Sequence, residues 1–345
     1  MHLEHLLLRN FRKFDEITFS FGQRTLIAGP NGSGKTTVIE ACAVALSGKS
    51  FRTADLKECI REGSDHFFVK ATAALGGLER AELTGGADRK GQKKLTRDGQ
   101  IISRRALITA TSLVLCTQED IDMVSGSPKK RRDLLDRAAM GMDRRYIDIA
   151  GQYLRFVKQK TALLRSERKS GLKHLNEAAV PLISEIRRRR NAAAMALAAH
   201  FGTVAQQAGL ELSIEIRLPV EEGDEVRKRL HDRMVREAER GVLLYGTHLD
   251  DVQMELTGRA ARSSSSGEVA FGAFCLRLAE TLLLGEAGWP PVFFADEIFS
   301  FMDRDRRDRA FALIAALPFQ TVVTSHRAPG EGNVPEGCTV IALES

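Results

Sequence analysis

Short apolar runs with polar breaks occupy both ends of the chain, and long stretches of helical periodicity fill its middle. Leu3 to Leu8 alternates imperfectly, Ile17-Thr18-Phe19 is β-branched and aromatic, and Leu26-Ile27-Ala28 is a compact apolar run, which together predict an N-terminal group of strands. Thr37 to Leu46 has helical spacing. Phe67 to Ala73 and Ala81 to Thr84 predict two antiparallel strands, the polar Gly/Lys-rich stretch Gly85 to Lys94 an exposed loop, and Leu113 to Cys116 a short buried strand. Lys129 to Ala139, then Tyr146 to Arg168 and Leu175 to Gln206 around a Ser170-Gly171 break, predict helices, the last two forming a hairpin or arm. Leu210 to Leu218 predicts a strand, Glu221 to Arg240 a charged helix, Val269 to Leu284 an apolar helix, and Pro291 to Ala295 another strand.

The run Leu26-Ile27-Ala28 leads directly into Gly29-Pro30-Asn31-Gly32-Ser33-Gly34-Lys35-Thr36, followed by Thr37 and the first predicted helix. This is a phosphate-binding loop between strand and helix. Its glycines let backbone N–H groups approach phosphates, the helix N-terminus adds partial positive charge, Lys35 reaches the β- and γ-phosphates, and Thr36 offers a hydroxyl to Mg²⁺. ATP and Mg²⁺ are the expected cofactors. The second acidic element is the apolar strand ending in Asp296-Glu297: Asp296 is expected to hold Mg²⁺ through water, and Glu297 to orient or deprotonate the attacking water. Asp303 follows in Ser300-Phe301-Met302-Asp303, and another apolar strand ends at Thr324-Ser325-His326, where His326 reads as a γ-phosphate sensor or as an ordinary surface residue. Ser265-Ser266-Gly267-Glu268 opens the apolar helix, either as a second anion site or as a serine-rich linker with a cap.

The fold class that follows is α/β: residues 1–140 and 241–345 form a split nucleotide domain with mixed sheets, and residues 141–240 are an inserted, mainly helical arm. Net charge sharpens the picture of the arm. The chain carries +6 overall, whereas Arg144 to His200 alone holds thirteen Lys and Arg against four acids. A polyanion contacted through phosphates is one reading, since aromatics are sparse there, and a solvated helical face is the other. The consecutive Arg187 to Arg190 point all round a helix, so about half of them would face one groove. Five scattered cysteines, never paired as Cys-x-x-Cys, read as reduced core thiols and argue against structural zinc. No long apolar run and no basic-plus-apolar leader occur, so the expectation is a cytoplasmic protein without membrane partners.

In the order P-loop, Gln118 after a strand, Ser-x-Gly-Glu, Asp-Glu, Ser-x-x-Asp and His, the chain resembles the ATP-binding-cassette (ABC) ATPases. That resemblance implies two ATP molecules sandwiched in a homodimer. Ser265 and Gly267 would complete the partner's site, Gln118 would serve metal and catalysis beside Glu297 and His326, and Asp303 would contact nucleotide. Leu8-Arg9-Asn10-Phe11-Arg12, Gly48-Lys49-Ser50-Phe51-Arg52, Gln118-Glu119-Asp120-Ile121, Gly126-Ser127-Pro128 through Arg131-Arg132-Asp133-Leu134-Leu135-Asp136, and Gly246-Thr247-His248-Leu249-Asp250-Asp251 narrow it to a resemblance to the RecF family, related to structural-maintenance-of-chromosomes heads. The family implies an ATP-dependent dimer that binds duplex DNA near gaps or junctions with single strands. It also implies slow, DNA-stimulated hydrolysis, RecR-like and RecO-like mediators, recombinase loading, and a place in DNA repair, replication restart and the SOS response to damage. The chain departs from the family's usual pattern at Gln118, Leu249 and Glu268-Val269; Glu268 puts negative charge where the signature loop meets phosphate. A RecF-like ATPase of another repair or mobile-element system, and a P-loop small-molecule enzyme, are the alternatives.

Overall fold

The structure is a computed structural model that describes residues 1–76, 79–166, 170–256, 259–260, 266–326 and 337–344. The chain folds as two compact units, residues 1–120 with 284–345, and residues 121–283. The second unit holds the expected arm, 141–240, together with 121–140 and 241–283.

The alternating N-terminal segments become β1 (His2–Phe11), β2 (Phe14–Ser20) and β3 (Arg24–Ala28), followed by α1 (Lys35–Ser47). Then come β4 (His66–Gly76), β5 (Glu79–Asp88), β6 (Lys93–Arg97), β7 (Gln100–Ile101), α2 (Arg104–Ala110) and β8 (Leu113–Thr117). The second unit contributes α3 (Ile121–Ser125), α4 (Pro128–Met142), α5 (Tyr146–Arg165), α6 (Leu172–Gln207), β9 (Ile214–Arg217), α7 (Gly223–Arg240), β10 (Gln253–Leu256), β11 (Arg259–Ala260) and α8 (Ser266–Glu286). The chain returns to the first unit with β12 (Val292–Asp296), α9 (Arg304–Ala316), β13 (Thr321–Ser325) and β14 (Thr339–Ala342).

The first unit has an antiparallel sheet, β2-β1-β4-β5-β6-β7, and a parallel one, β14-β3-β13-β12-β8. Helix α1 packs against strands of both, and Val38 to Leu46 are buried without a break. A helix enclosed on every side needs no polar face, which is why this segment is apolar all round. The expected loop at Gly85 to Lys94 is corrected here: β5 runs on to Asp88 and β6 begins at Lys93, leaving a short turn between them. Gly85 faces α1, where an added Cβ would come within 3.1 Å of Val44 Cγ1 and 3.2 Å of its carbonyl oxygen. The glycine marks close helix-on-sheet approach inside a strand.

One charge lies inside this packing. Glu40 of α1 is fully buried and takes a bidentate pair from Arg12 (Nη2–Oε1 2.7 Å, Nε–Oε2 3.0 Å). Ser50 Oγ donates to it at 2.6 Å and Arg52 Nη1 at 3.4 Å. The Asn10-Phe11-Arg12 and Gly48-to-Arg52 blocks therefore meet at one carboxylate.

In the second unit α5, α6 and α7 pack on one another, and α4 packs on α6. The stripe Ala179, Ile183, Ile186, Ala193, Leu197, Phe201 and Val204 gives the 36-residue α6 a continuous buried face. Strand β9 pairs with β10 in the small sheet β11-β10-β9. The basic run in α6 divides by face. Arg187 is 2% exposed and grips Asp250 (Nη2–Oδ1 2.6 Å, Nε–Oδ2 3.1 Å), while buried Arg190 grips Asp136 at 2.7 and 2.9 Å and donates to the Thr247 carbonyl at 2.7 Å. Arg188 and Arg189 bind Glu185. From α4, Arg132 Nη1 donates to the Asp250 carbonyl at 2.6 Å, and Arg131 donates to the Val252 carbonyl. Lys160 of α5 and Glu237 of α7, both without exposed surface, meet at 2.7 Å, and burial lowers the Lys160 pKa.

Two stability outcomes follow from these pairs. Removing the acid from a buried pair leaves its cation uncompensated, so Glu40→Ala should cost about 3–5 kcal/mol in urea unfolding. Arg187→Ala should cost a similar ~3–5 kcal/mol, while the exposed Arg188→Ala should stay within about 0.5 kcal/mol. Equal midpoints for the two arginine variants would contradict the division of the run into inner and outer members.

Candidate nucleotide-binding site

The parallel sheet brings β3, β13, β12 and β8 to a common edge at their C-terminal ends, with Ser325 in register with Ala28 and Asp296 with Thr117. Crevices outside the carboxyl ends of parallel strands are where open α/β sheets bind ligands. Gly29 to Thr36 leaves β3 at that edge and opens α1. Gly34 is the N-cap in the left-handed region (φ 104°), with no side chain capping the first turn. An added Cβ on Gly34 would lie 2.7 Å from the Phe14 ring, so the glycine is fixed by conformation and by space. The uncapped N–H groups of this turn form an anion-binding end.

Lys35 is 3% exposed. Its ammonium donates to the carbonyls of Gly29 (2.8 Å) and Pro30 (2.9 Å) and lies 3.9 Å from Glu297 Oε1. Asp296, at the end of β12, accepts from the hydroxyls of Thr36 (3.2 Å) and Thr324 (2.9 Å), and Thr324 Oγ1 accepts from the Glu297 N–H at 3.0 Å. Two strand ends, of β12 and β13, and the start of α1 are tied together by two hydroxyls and one carboxylate. Asp296 is buried, and desolvation raises its pKa above the usual carboxylate value, with the Glu297 charge adding to the rise and the two threonine hydroxyls opposing it. Glu297 turns out of the strand in the left-handed region (φ 53°) with its side chain 39% exposed.

The fit to a nucleotide phosphate and Mg²⁺ is testable on these residues. Ser33 Oγ is buried without a hydrogen-bond partner inside the loop, the kind of orphaned polar atom that a phosphate oxygen satisfies. Thr36 Oγ1 and the Asp296 carboxylate present hard oxygen donors side by side, which suits an ion that keeps most of its waters. Gly29, Pro30, Asn31, Gly32, Ser33 and Thr37 lie on the loop or in the first turn of α1.

The other expected positions are distributed as follows. Gln118 is exposed, one residue past Thr117, on a turn covering Gln118–Asp120. His326 is exposed, one residue past Ser325, whose carbonyl accepts the Gly29 N–H at 3.2 Å. Asp303 caps α9, accepting from the Arg306 N–H at 2.9 Å and from its guanidinium, and that backbone bond first among its contacts lowers its pKa. Gly267 and Glu268 lie in the first turn of α8, in the second unit, and Ser265 lies outside the described residues. Two participants had no motif to announce them. Thr324 is the bridge between the acidic pair, and Lys13, on the β1–β2 turn, donates to the Gly32 carbonyl at 3.1 Å. A hydroxyl at the end of a strand neighbouring the acidic one was the available signal for Thr324.

The family model for the RecF/RecN/SMC N-terminal domain matches residues 2–334. The chain is similar to the DNA replication and repair protein RecF of Geobacter sulfurreducens, 30% identical over 340 residues covering 94% of this chain and 93% of that protein. It is also similar to RecF of Deinococcus deserti, 31% identical over 334 residues covering 96% and 92%. Among solved structures it resembles the recombination mediator protein RecF with ATP (TM-score 0.86, 23% identity, 99% of this chain and 95% of that one). It resembles more distantly an Smc head bound to the C-terminal winged-helix domain of ScpA (TM-score 0.59, 17% identity, 95% and 90%). The mixed α/β fold is therefore that of the RecF and SMC heads. Among the described residues no helix is long and apolar enough to cross a membrane.

The raised Asp296 pKa has a consequence for stability. Between the ordinary carboxylate pKa and the raised folded value, the folded state binds the extra proton, so folding loses stability as pH rises through that window and regains it as pH falls. Asp296→Asn keeps a carbonyl oxygen for both hydroxyls and removes the cost, so it should raise the unfolding free energy from urea titration at pH 7 by about 0.5–2 kcal/mol, with the gain fading in acid. A variant less stable than wild type at pH 7 would show that the carboxylate is held at no cost.

Proposed function

This chain belongs to the RecF family within the wider RecF/RecN/SMC group, and on that premise we propose that it is an ATP-hydrolysing, DNA-binding protein of recombinational repair and replication restart. The observation that carries the reading is the convergence of the P-loop, Lys35, the Thr36–Asp296 contact and Glu297 at one sheet edge. The loop N–H groups and Lys35 hold the phosphates, and Lys35 leaves the Gly29 and Pro30 carbonyls to do so. Thr36 and Asp296 would hold Mg²⁺, which when bound neutralises charge on the phosphate oxygens. Glu297 orients the attacking water and takes its proton; its exposed carboxylate next to buried Asp296 divides the two acids between chemistry and metal. Gln118 and His326, each one residue beyond a strand that flanks the acidic pair, complete the polar rim.

The solved relative with ATP supports nucleotide as the ligand. Hydrolysis is slow and acts as a timer: ATP joins two copies, Ser265 and Gly267 of one facing the nucleotide of the other with Asp303 at the same junction, and turnover releases them. Glu268 opposes this by placing negative charge near the phosphates. DNA is held through its backbone near gaps or single-strand junctions. On the arm, Arg155, Lys158 and Arg165 recur on one face of α5 and are exposed, as is Lys173, whereas Arg187 and Arg190 are committed to Asp250 and Asp136. RecR-like and RecO-like mediators in the cytoplasm are the expected partners, in keeping with the RecFOR pathway named for the solved relative.

Sedimentation of wild type, Lys35→Ala and Glu297→Gln, with and without ATP and a short gapped duplex, tests the reading. Wild type should dimerise with ATP and co-sediment with DNA, Glu297→Gln should persist as the ATP-bound dimer, and Lys35→Ala should stay monomeric. DNA binding should fall by about 10³-fold or more between low and moderate salt if six or more phosphates are contacted. A monomer that turns over ATP with no response to DNA would replace this reading with a small-molecule enzyme.

A further inference from the structure

Apart from the nucleotide site, the first unit carries a cavity of about 750 Å³ between the segment that follows α1, the β6–β7 hairpin and the start of α2. Clefts of ~300–1,000 Å³ are the size that takes a ligand or a few side chains, not a duplex. Its apolar lining is aliphatic: buried Leu56 and half-buried Leu95 and Ile102, with Phe51 as the single aromatic. Lys49, Lys93 and Arg104 line it too, opposed by one acid, Glu119; the fourth cation, Arg52, already leans on Glu40. Arg104 is anchored by its Nε–H to the Ser47 carbonyl at 3.0 Å, which holds its guanidinium in place.

The cavity adjoins a sheet edge. Strand β7 is the last of the six-stranded sheet, and Ile101, which also lines the cavity, is 75% exposed. An exposed edge strand presents backbone N–H and C=O groups to an incoming strand, and native proteins usually guard such edges with charge or cover. Here a bare apolar residue, an aliphatic hollow and a surplus of cations occur together. Single-stranded nucleic acid would call for stacking platforms, and one phenylalanine among aliphatic side chains is a poor platform. The combination matches a peptide segment that carries aliphatic and acidic side chains together, since the hollow and the cations line one cavity.

We propose that this cavity and the outer edge of β7 are a docking site for an acidic, aliphatic segment of a protein partner. The segment pairs with the Ile101 backbone at the edge of β7, inserts an aliphatic side chain beside Leu56, Leu95 and Ile102, and sets carboxylates against Lys93 and Arg104. Specificity comes from the mixed lining: the hollow takes the apolar side chains and the cations take the acids.

The test uses the full chain and a short fluorescein-labelled peptide alternating glutamate and valine, with a lysine–valine peptide as control, read by fluorescence anisotropy. Wild type should bind the acidic peptide and not the basic one, and Lys93→Glu and Ile101→Asp should each weaken binding by about tenfold or more. Both side chains are exposed, so the variants should fold and should bind ATP as wild type does, which separates failure here from failure of the ATPase reading. Hydrogen exchange at the outward-facing Ile101 amide should slow when the acidic peptide is present, while the Ile102 amide, already bonded to the Leu95 carbonyl, should not change. Absence of binding, or binding indifferent to both variants, would overturn the proposal. So would oligothymidylate binding that is lost in both variants while the peptide fails to bind, which would make the surface a nucleic-acid site.

Discussion

Everything at the candidate nucleotide site depends on the confinement of α1 between two sheets. A helix buried all round can neither slide nor roll without displacing side chains from both layers, since interiors pack at crystal-like density. Its N-terminus, and with it Lys35 and Thr36, is therefore fixed relative to β3, β12 and β13 before any ligand arrives. Glu40 adds direction to this confinement. A fully buried carboxylate needs all its lone pairs met, and Arg12, Ser50 and Arg52 meet them from segments on either side of the loop in the sequence. Those segments are anchored to the helix that carries the P-loop.

The second unit applies the same device more extensively. Asp250 and Asp136 bind Arg187 and Arg190 of α6, while Arg131 and Arg132 of α4 hold the backbone of the segment that contains Asp250. Such pairs add little net stability over apolar packing, but they penalise any other register, because sliding α6 by one residue would strand two guanidinium groups without partners. A 36-residue helix with an otherwise apolar face has several nearly equivalent ways to pack, and the buried arginines remove them.

Much of this was legible in the chain. The P-loop, the acidic strand, the long arm helices and the return to strands near the C-terminus follow from spacing and period, because each is a local pattern. What was not legible depends on partners distant in sequence. Gly85 looks like a loop residue until α1 is laid against it, and the basic excess of residues 144–200 looks like a free surface. The acids that neutralise Arg187, Arg190 and Lys160 are Asp250, Asp136 and Glu237, all outside that window. Counting charge along a segment measures exposure only when the segment has no buried face. Thr324 escaped for a related reason, since a threonine at a strand end carries no motif until register sets it between Asp296 and the Glu297 backbone.

The same hydroxyl explains how two adjacent carboxylates acquire different chemistry. In an extended strand, neighbours point to opposite faces, so Asp296 and Glu297 could not both address a site at the strand's end. The left-handed turn at Glu297, costing about 1–2 kcal/mol, ends the strand there, and Thr324 stabilises it by accepting the Glu297 N–H while donating to Asp296. Asp296 is left buried and hydrogen-bonded with its pKa raised, and Glu297 is left near Lys35 and open to water, the difference that the proposed metal and proton-transfer roles call for. The division of labour is set by backbone conformation and one threonine.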